Sequence, residues 1–376
     1  MPLKTTIRRR FAAAAVAAGL LAMTACSSTA NSASQPIDKK DIVLVASVIN
    51  TTNPYMASMI QGAQALSKKL GVPLQIVDSE GSSQTEISKI QAILAQGKKV
   101  ALMVNTVASS DAPTIVNAVK AAGGYVSIWW NKPDDYEPWN VGNNFVAFQK
   151  YSGVQSGECT ANALAKSLNG KGNIVALAGV QDSTTSQTRV AGLKEALKAY
   201  PNIHLLDTQP ANWDPQQALQ VTQSLLAKYG NQVNGVWSAD DGMTVGSIQA
   251  VQNAGRINDV KFASDGLYPP EIKDMQDHMG NDAIVGETFH RGYMAAAIGL
   301  YTAYQAATGA IDPSKLPHEK RDSLFQLECV TPQNLSDYTK YDDPNYISSW
   351  MDSLIKDGPW NTPPTPLVAG GPEKLP

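Results

Sequence analysis

Short apolar runs rich in β-branched residues alternate along this chain with longer segments of helical periodicity. The first run, Ile42–Val48, ends in polar residues, and Asn53-Pro54 then begins a helical pattern that extends to Leu70. Strand-like runs separated by amphipathic helical segments are typical of βαβ units. The pattern therefore predicts an α/β protein built on doubly wound parallel sheets.

The alternation occurs in two series separated by a loop, 130–148, that is rich in Asn, Pro and aromatic residues. The first series predicts strands at Ile42–Val48, 74–77, 100–104 and Tyr125–Trp129. The second predicts strands at 173–177, 203–206, 235–237, Lys261–Ala263 and 283–286. A last strand is expected at 324–329 and a helix at 346–356, with little regular structure after Gly358. Two sheets whose strand ends face each other leave one cleft, and clefts between domains are where small-molecule sites most often lie.

The N-terminus has the features of an export signal. A basic stretch from Lys4 to Arg10 precedes the apolar run 11–23, which is shorter than the ~20 residues of a membrane-spanning helix. Met23-Thr24-Ala25-Cys26 resembles a bacterial lipobox, in which the cysteine is lipidated. We expect a signal peptide at 1–25, lipidation of Cys26 and a flexible linker at 26–40; the alternative is an ordinary signal-peptidase site. Either predicts an exported protein of the cell envelope, held on the outer face of the cytoplasmic membrane or periplasmic.

Composition and charge narrow the class of protein. A 43% hydrophobic content indicates a packed globular fold, and 376 residues exceed what a single core usually supports, so two domains are expected. The 33 acidic residues outnumber the 30 basic ones, and four of the basic residues precede Cys26. A mildly acidic chain without a basic block is unlike a nucleic-acid-binding protein.

No familiar catalytic, cofactor or metal signature is present. The four His residues are scattered, and phosphate-binding glycine loops, nucleophile elbows and zinc-protease motifs are missing from the sequence. We therefore expect no metal, no cofactor and no enzymatic activity. In an exported protein Cys159 and Cys329 form a disulfide or remain as two buried free thiols.

Several short motifs together resemble a known family. They are Asn53-Pro54-Tyr55-Met56 after the first strand, Val104-Asn105 closing the third, Trp213-Asp214 before a helix, Asp240-Asp241-Gly242 after an apolar strand, and Ser264-Asp265-Gly266. In this order and spacing the chain, from Ile42 to about Asn334, resembles the periplasmic sugar-binding proteins of ABC importers, of the ribose- and galactose-binding type.

The resemblance implies a type I periplasmic binding protein fold with two lobes joined by a three-segment hinge. The first lobe is expected at 41–142 plus 289–323, the second at 143–288 plus 324–335, and a C-terminal extension at 336–376. Such a protein, as a monomer, closes over a sugar or polyol and delivers it to the membrane subunits of an ABC permease. It performs no chemistry on its ligand.

The resemblance also implies a set of ligand-binding residues. From the first lobe these are Asn53, Tyr55, Met56, Asn105 and Trp130, and from the second Gln187, Arg189, Trp213, Asp240, Asp265 and Phe289. Neighbours on a strand point to opposite faces, so one of Trp129 and Trp130 should line the cleft, and Trp130, where the loop begins, is favoured. Trp130 stands where ribose-type proteins carry an arginine, which argues for a ligand other than ribose.

Two other functions fit parts of the pattern. The same fold serves ligand sensors that report to a membrane kinase or chemoreceptor. A secreted enzyme on a two-domain α/β scaffold would need an acid and a base, for which Asp240 and Asp265 are the only candidate pair.

Overall fold

The computed structural model describes residues 36–370. The expected signal peptide and the lipidation site Cys26 lie outside these residues, as does the start of the expected linker. The strands are β1 (Ile42–Val48), β2 (Leu74–Asp78), β3 (Lys99–Asn105), β4 (Tyr125–Trp129), β5 (Phe145–Tyr151), β6 (Lys171–Ala178), β7 (Asn202–Pro210), β8 (Val233–Ser238), β9 (Lys261–Ala263), β10 (Ile284–Phe289), β11 (Asp322–Phe325), β12 (Glu328–Val330) and β13 (Leu367–Gly370).

Helices precede or follow nearly every strand. They are α1 (Pro54–Leu70), α2 (Ser83–Leu94), α3 (Ala112–Ala121), α4 (Pro138–Val141), α5 (Gly153–Ser167), α6 (Thr184–Leu197), α7 (Pro215–Tyr229), α8 (Asp241–Asn253), α9 (Pro269–Gln276), α10 (Met279–Asp282), α11 (Gly292–Ala307), α12 (His318–Arg321) and α13 (Pro344–Asp357). In residues 36–370, no helix combines the length and apolar character that a membrane span requires.

The strands form two sheets, one per lobe. The first has the order β13-β11-β5-β4-β3-β1-β2 and the second β12-β10-β9-β8-β6-β7. Pairing is parallel except at one edge of each sheet, where β13 and β12 run antiparallel to their neighbours. Alternate residues of β1 belong to two hydrophobic clusters on opposite faces of the first sheet, as expected for a parallel sheet covered by helices on both sides. The predicted fold class is confirmed.

The local sequence explains how β1 leads into α1. Asn53 has an extended backbone and its side-chain oxygen accepts a hydrogen bond from the Tyr55 amide, while Pro54 occupies the first helical position. This is the preferred chemistry of a helix start. Gly71, in the left-handed conformation, ends the helix. The predicted helix therefore has the observed bounds.

Sheet membership differs from the expected lobe boundaries at two points. Strand β5 lies within the second expected lobe but pairs with β4 and β11 of the first sheet. The expected strand 324–329 is two strands, since β11 belongs to the first sheet and β12 to the second. The chain therefore crosses between the lobes at Ser152, at His290-Arg291 and at Gln326-Leu327, and a fourth time after β12, where it enters the C-terminal extension. The first three crossings are the hinge boundaries that we propose.

The C-terminal extension returns to the first lobe. Helix α13 packs on α1 and α11, and β13 extends the first sheet through antiparallel pairing with β11. The expectation of little regular structure after Gly358 is wrong in this respect. A strand at a sheet edge can form from few residues because its neighbour supplies the hydrogen bonds.

A disulfide joins Cys159 of α5 to Cys329 of β12, with the Cα atoms 5.9 Å apart. Of the two states left open by the sequence, the structure contains the bridged one. The bond ties the short strand after the third crossing to a helix of the second lobe.

Candidate functional site

The site is a cavity between the carboxyl ends of the two sheets. Both lobes line it, and most of the lining side chains are aromatic or carry polar atoms. They are Ile49, Tyr55, Met56, Asn105, Trp130, Asn131, Thr185, Arg189, Trp213, Asp240, Asp241, Asp265 and His290. Ligands of open α/β sheets bind in this position, outside the carboxyl ends of the strands.

The first lobe supplies the start of α1 and the ends of β3 and β4. The helix start places Tyr55 and Met56 in the wall, each 5% exposed. Asn105 ends β3, and its amide nitrogen lies 3.4 Å from the Met56 sulfur. The Asn105 side-chain oxygen has no hydrogen-bond partner in the described chain. The oxygen is therefore free to accept a hydrogen bond from a ligand.

Trp130 lines the cavity and Trp129 does not. Trp129 belongs to β4 and stacks on Phe325 with ring centroids 5.5 Å apart. Trp130 follows the strand with a left-handed backbone, φ 73°, and its indole nitrogen donates to the Tyr55 hydroxyl at 3.1 Å. This is the arrangement that the alternation of side chains along a strand favours.

Trp213 is the corresponding indole of the second lobe. Its backbone is also left-handed, φ 60°, which is rare for a bulky residue and is concentrated at functional sites. The indole covers Gly179, where any Cβ atom would overlap the ring. A glycine at the end of β6 thus allows the indole to lie against the backbone. The Trp213 indole nitrogen has no partner among residues 36–370.

A buried charged group lies between the two indoles. The Arg189 guanidinium is 4.8 Å from the Trp130 ring and 6.0 Å from the Trp213 ring. It contacts Asp265 Oδ1 at 2.8 Å and donates to the Ala239 carbonyl at 2.6 Å. Trp130 and Trp213 both line the cavity, and the Arg189 guanidinium lies beside both rings.

His290 completes this group through a short hydrogen bond to Asp265. Burial alone would raise the pKa of Asp265, but Arg189 and His290 hold the pKa below its usual value. Burial lowers the pKa of His290. Asp265 is therefore ionised and the imidazole neutral, with the Nε2 proton donated to the carboxylate and Nδ1 left as an acceptor.

Six buried polar atoms of the cavity wall have no partner in the described part of the chain. They are Asn105 Oδ1, Arg189 Nε, Trp213 Nε1, Asp241 Oδ1, Asp265 Oδ2 and His290 Nδ1. Leaving a buried polar atom unpaired costs about 1–3 kcal/mol. The six include both donors and acceptors, and a hydroxyl group can act as either. The wall is therefore complementary to a ligand that carries several hydroxyl groups.

Direct hydrogen bonds join the lobes beside the cavity. The Asn53 amide nitrogen donates to Asp240 Oδ2 at 2.7 Å and to the Trp213 carbonyl at 3.2 Å. Farther along the cleft, the Ser183 hydroxyl donates to the Asn131 side-chain oxygen at 2.7 Å. These bonds exist only when the lobes are close together, so the structure is the closed form.

Eight of the eleven residues predicted to bind ligand line the cavity, and three do not. Asn53 lies beside the cavity and joins the lobes, as described above. Gln187 is on the exposed face of α6, where its amide donates to the Gln181 carbonyl. Phe289 points away from the cavity and packs on the rings of Tyr338 and Tyr341. Both placements correct the correspondence that the resemblance implied.

His290 is a site residue that the predicted set omits. It directly follows Phe289, and adjacent residues of an extended segment point to opposite sides. Asn131, next to the favoured Trp130, is a second such residue. Its side-chain oxygen accepts hydrogen bonds from Ser183 and from the Thr185 amide of the second lobe. Each of these two residues directly follows a residue of the predicted set, and that adjacency was the signal in the sequence.

Behind the site the second lobe buries two further acids, Glu271 and Glu287, next to Asp241 of the cavity wall. Neither carboxylate oxygen of Glu271 has a partner among residues 36–370. Burial, followed by the charge of Glu287, raises the pKa of Glu271 well above its usual value, and burial raises that of Glu287 to about 8. No group of these or other described residues is arranged to hold a metal ion.

These raised pKa values predict how stability depends on pH. The folded chain holds protons that the unfolded chain releases above about pH 4.5, so the free energy of unfolding should fall as pH rises to about 8. Glu271→Gln keeps the shape and removes the group that ionises on unfolding, so it should raise stability at pH 8 and flatten the decline. Urea unfolding at pH 5.5 and 8 measures both effects.

Glu195→Gln is the matched control, because Glu195 pairs with Lys198 at the surface. This variant should change stability by no more than about 0.5 kcal/mol at either pH. A parent protein that is more stable at pH 8 than at pH 5.5 would contradict the role of the buried acids.

A family model described as a periplasmic binding protein domain matches residues 44–310. The ribose import binding protein of Escherichia coli K12 is 28% identical over 254 residues, which cover 64% of this chain and 81% of that protein. The xylitol-binding protein of Mycolicibacterium smegmatis is 24% identical over 334 residues, covering 86% and 85%. These relatives are binding proteins rather than enzymes.

Two solved structures show the same fold. A Burkholderia phytofirmans protein described as a twin-arginine translocation pathway signal protein is 32% identical, with a TM-score of 0.80 over 90% of this chain and 100% of that chain. An ABC transporter solute binding protein of Bacillus halodurans with bound myo-inositol is 22% identical, with a TM-score of 0.68 over 80% and 98%.

Proposed function

The chain belongs to the periplasmic binding protein family, and we propose that it captures a small sugar or polyol outside the cytoplasm for an ABC-type permease. The observation that carries the proposal is the set of six unpartnered polar atoms in a closed cavity between two indoles. Hydroxyl groups would pair with the polar atoms, and the C–H faces of a sugar would contact the aromatic rings.

Closure is the step that the geometry explains. Asn105, Trp130 and Tyr55 belong to one lobe and Arg189, Trp213 and Asp265 to the other, so all of them contact one ligand only in the closed form. A ligand that gains more contacts in one conformation shifts the population toward it. The closed protein then presents a surface composed of both lobes, which a permease can distinguish from the open form.

We further propose a monomer that is lipid-anchored through Cys26. The lipobox-like Met23-Thr24-Ala25-Cys26 supports the anchor, together with the linker-like composition that follows. A diacylated cysteine would hold the protein at the outer face of the cytoplasmic membrane. Mass spectrometry of the mature N-terminal peptide tests the modification, because an unmodified Cys26 would contradict it.

A thermal-shift screen tests the ligand class. The probes are D-ribose, D-allose, xylitol and myo-inositol, with amino acids and nucleosides as competing classes. A ligand at a hundredfold excess over its Kd adds about 2.7 kcal/mol to the free energy of unfolding, which raises Tm by several degrees. We expect at least one sugar or polyol to do so. Stabilisation by an amino acid or nucleoside alone would contradict the proposal.

A further inference from the structure

The C-terminal extension, residues 336–370, contacts two of the three crossings that form the proposed hinge. At the third crossing the Gln326 amide donates to the Pro366 carbonyl at 3.1 Å, next to the pairing of β13 with β11. At the second crossing Tyr341 packs against Phe289 with ring centroids 4.6 Å apart. The extension is therefore attached to the hinge itself, in addition to the surface of the first lobe.

The strongest of these contacts is an ion pair between Arg291 and Asp342. The guanidinium Nε and Nη2 contact the two carboxylate oxygens at 3.0 and 2.9 Å. This two-point geometry fixes the orientation of an arginine better than a single contact does. The Arg291 side chain is only 1% exposed and that of Asp342 is 28% exposed, so a buried cation is paired with an acid of the extension.

Arg291 is also linked to both members of the Asp265–His290 pair. It directly follows His290, and its Nη1 donates to the carbonyl of Gly266 at 2.9 Å. Gly266 directly follows Asp265. Arg291 is thus linked to Asp265 through the hydrogen bond to Gly266 and to His290 through the peptide bond.

We propose that Asp342 is a positioning residue for the ligand site, because it orients Arg291 and through it the Asp265–His290 pair. The inference deepens the proposed function and rests on it for the identity of the ligand. The extension then has a defined role, which is to hold the second crossing in the geometry that the site requires. Replacement of Asp342 by a neutral residue frees the guanidinium to turn away from Gly266.

The test compares two Asp→Asn substitutions in the same extension. Asp342→Asn removes the hinge ion pair, whereas Asp352→Asn removes the surface pair with Lys69, in which the Asp352 side chain is 63% exposed. The first readout needs no ligand: imidazole ¹H–¹⁵N spectra, with the His290 signal assigned by its loss in His290→Asn. The second readout is Kd for xylitol and D-ribose by calorimetry. Tm is recorded for every variant.

We expect Asp342→Asn to shift the His290 signal and to weaken binding at least tenfold, and Asp342→Glu, which keeps the charge, to recover most of the affinity. Asp352→Asn should leave both readouts unchanged. An unmoved His290 signal in Asp342→Asn, or equal effects of the two Asn variants, would overturn the positioning role. If the parent binds neither probe, that result would count against a pentose or pentitol ligand, and the His290 signal would still decide the role of Asp342.

Discussion

Gly242→Ala is expected to abolish ligand binding while leaving the ligand-free protein as stable as the parent or more so. Gly242 is the second residue of α8, and a Cβ atom there would lie 2.6 Å from Cγ of Asn53 in the opposite lobe. Asn53 cannot move aside easily, because it is fully buried and both ends of its amide are hydrogen-bonded. The overlap exists only in the closed form.

Within its own lobe the same substitution is favourable. Alanine favours a helical backbone relative to glycine, and the nearest atoms to the new Cβ all belong to Asn53 of the other lobe, so Tm without ligand should not fall. Calorimetric titration with the best probe of the thermal-shift screen measures the loss of binding. Parent-like affinity in Gly242→Ala would show that the closed arrangement described above is not the binding form.

A second substitution in the same protein provides the matched control. Asn53→Ser removes the amide group that overlaps the new methyl, while the serine hydroxyl still caps α1. The double variant Gly242→Ala/Asn53→Ser should therefore bind more tightly than Gly242→Ala alone. No recovery would mean that the added methyl acts within the second lobe instead of between the lobes.

Asp265→Asn is expected to weaken ligand binding more than a hundredfold and to destabilise the protein by about 3–5 kcal/mol. The carboxylate is the counter-charge of the buried Arg189 and the partner of His290. Removal of one member of a buried ion pair leaves the other charge uncompensated, which has a cost of this size. Chemical denaturation and calorimetry measure the two effects.

The control is a carboxylate paired at the surface. Asp277 pairs with Lys273, and their side chains are 56% and 71% exposed. Exposed pairs contribute at most about 1 kcal/mol, so Asp277→Asn should lose little stability and no affinity. Asp265→Asn combined with Arg189→Met removes both buried charges and should recover stability without recovering binding. Parent-like affinity in Asp265→Asn would remove this residue from the site.

Closure in this protein does not depend on the ligand alone. The Asn53–Asp240 and Ser183–Asn131 bonds join the lobes directly, so the ligand has to supply only part of the free energy that favours the closed form. A ligand can shift a two-state equilibrium only by its differential affinity for the two states. These direct bonds therefore reduce the differential that a small sugar must provide.

The sequence predicted the fold well where local and long-range signals agree. The start of α1 at Pro54 follows from capping chemistry and needs no tertiary information. Strand β5 did not stand out because its apolar run directly follows a loop rich in Asn, Pro and aromatic residues. Strand β13 is only four residues long, and its existence depends on pairing with β11, which no local pattern encodes.

The segments that line the cavity were predicted to within a residue or two, and that precision is insufficient for side chains. Residues in a helix turn by about 100° each, so Gln187 and Arg189 of α6 point to nearly opposite sides, and only Arg189 enters the cavity. Phe289 and His290 differ in the same way along an extended segment. The resemblance located the segments, and only the three-dimensional structure shows which side chain of each faces the ligand.

Small-angle X-ray scattering of the parent and of Gly242→Ala, with and without saturating xylitol or D-ribose, tests the central claim most directly. We predict that the radius of gyration of the parent decreases when a probe that it binds is added, because the lobes close around the probe. That of Gly242→Ala should stay at the ligand-free value. Tight binding of a sugar or polyol without any contraction of the parent, or contraction of Gly242→Ala equal to that of the parent, would contradict capture by lobe closure.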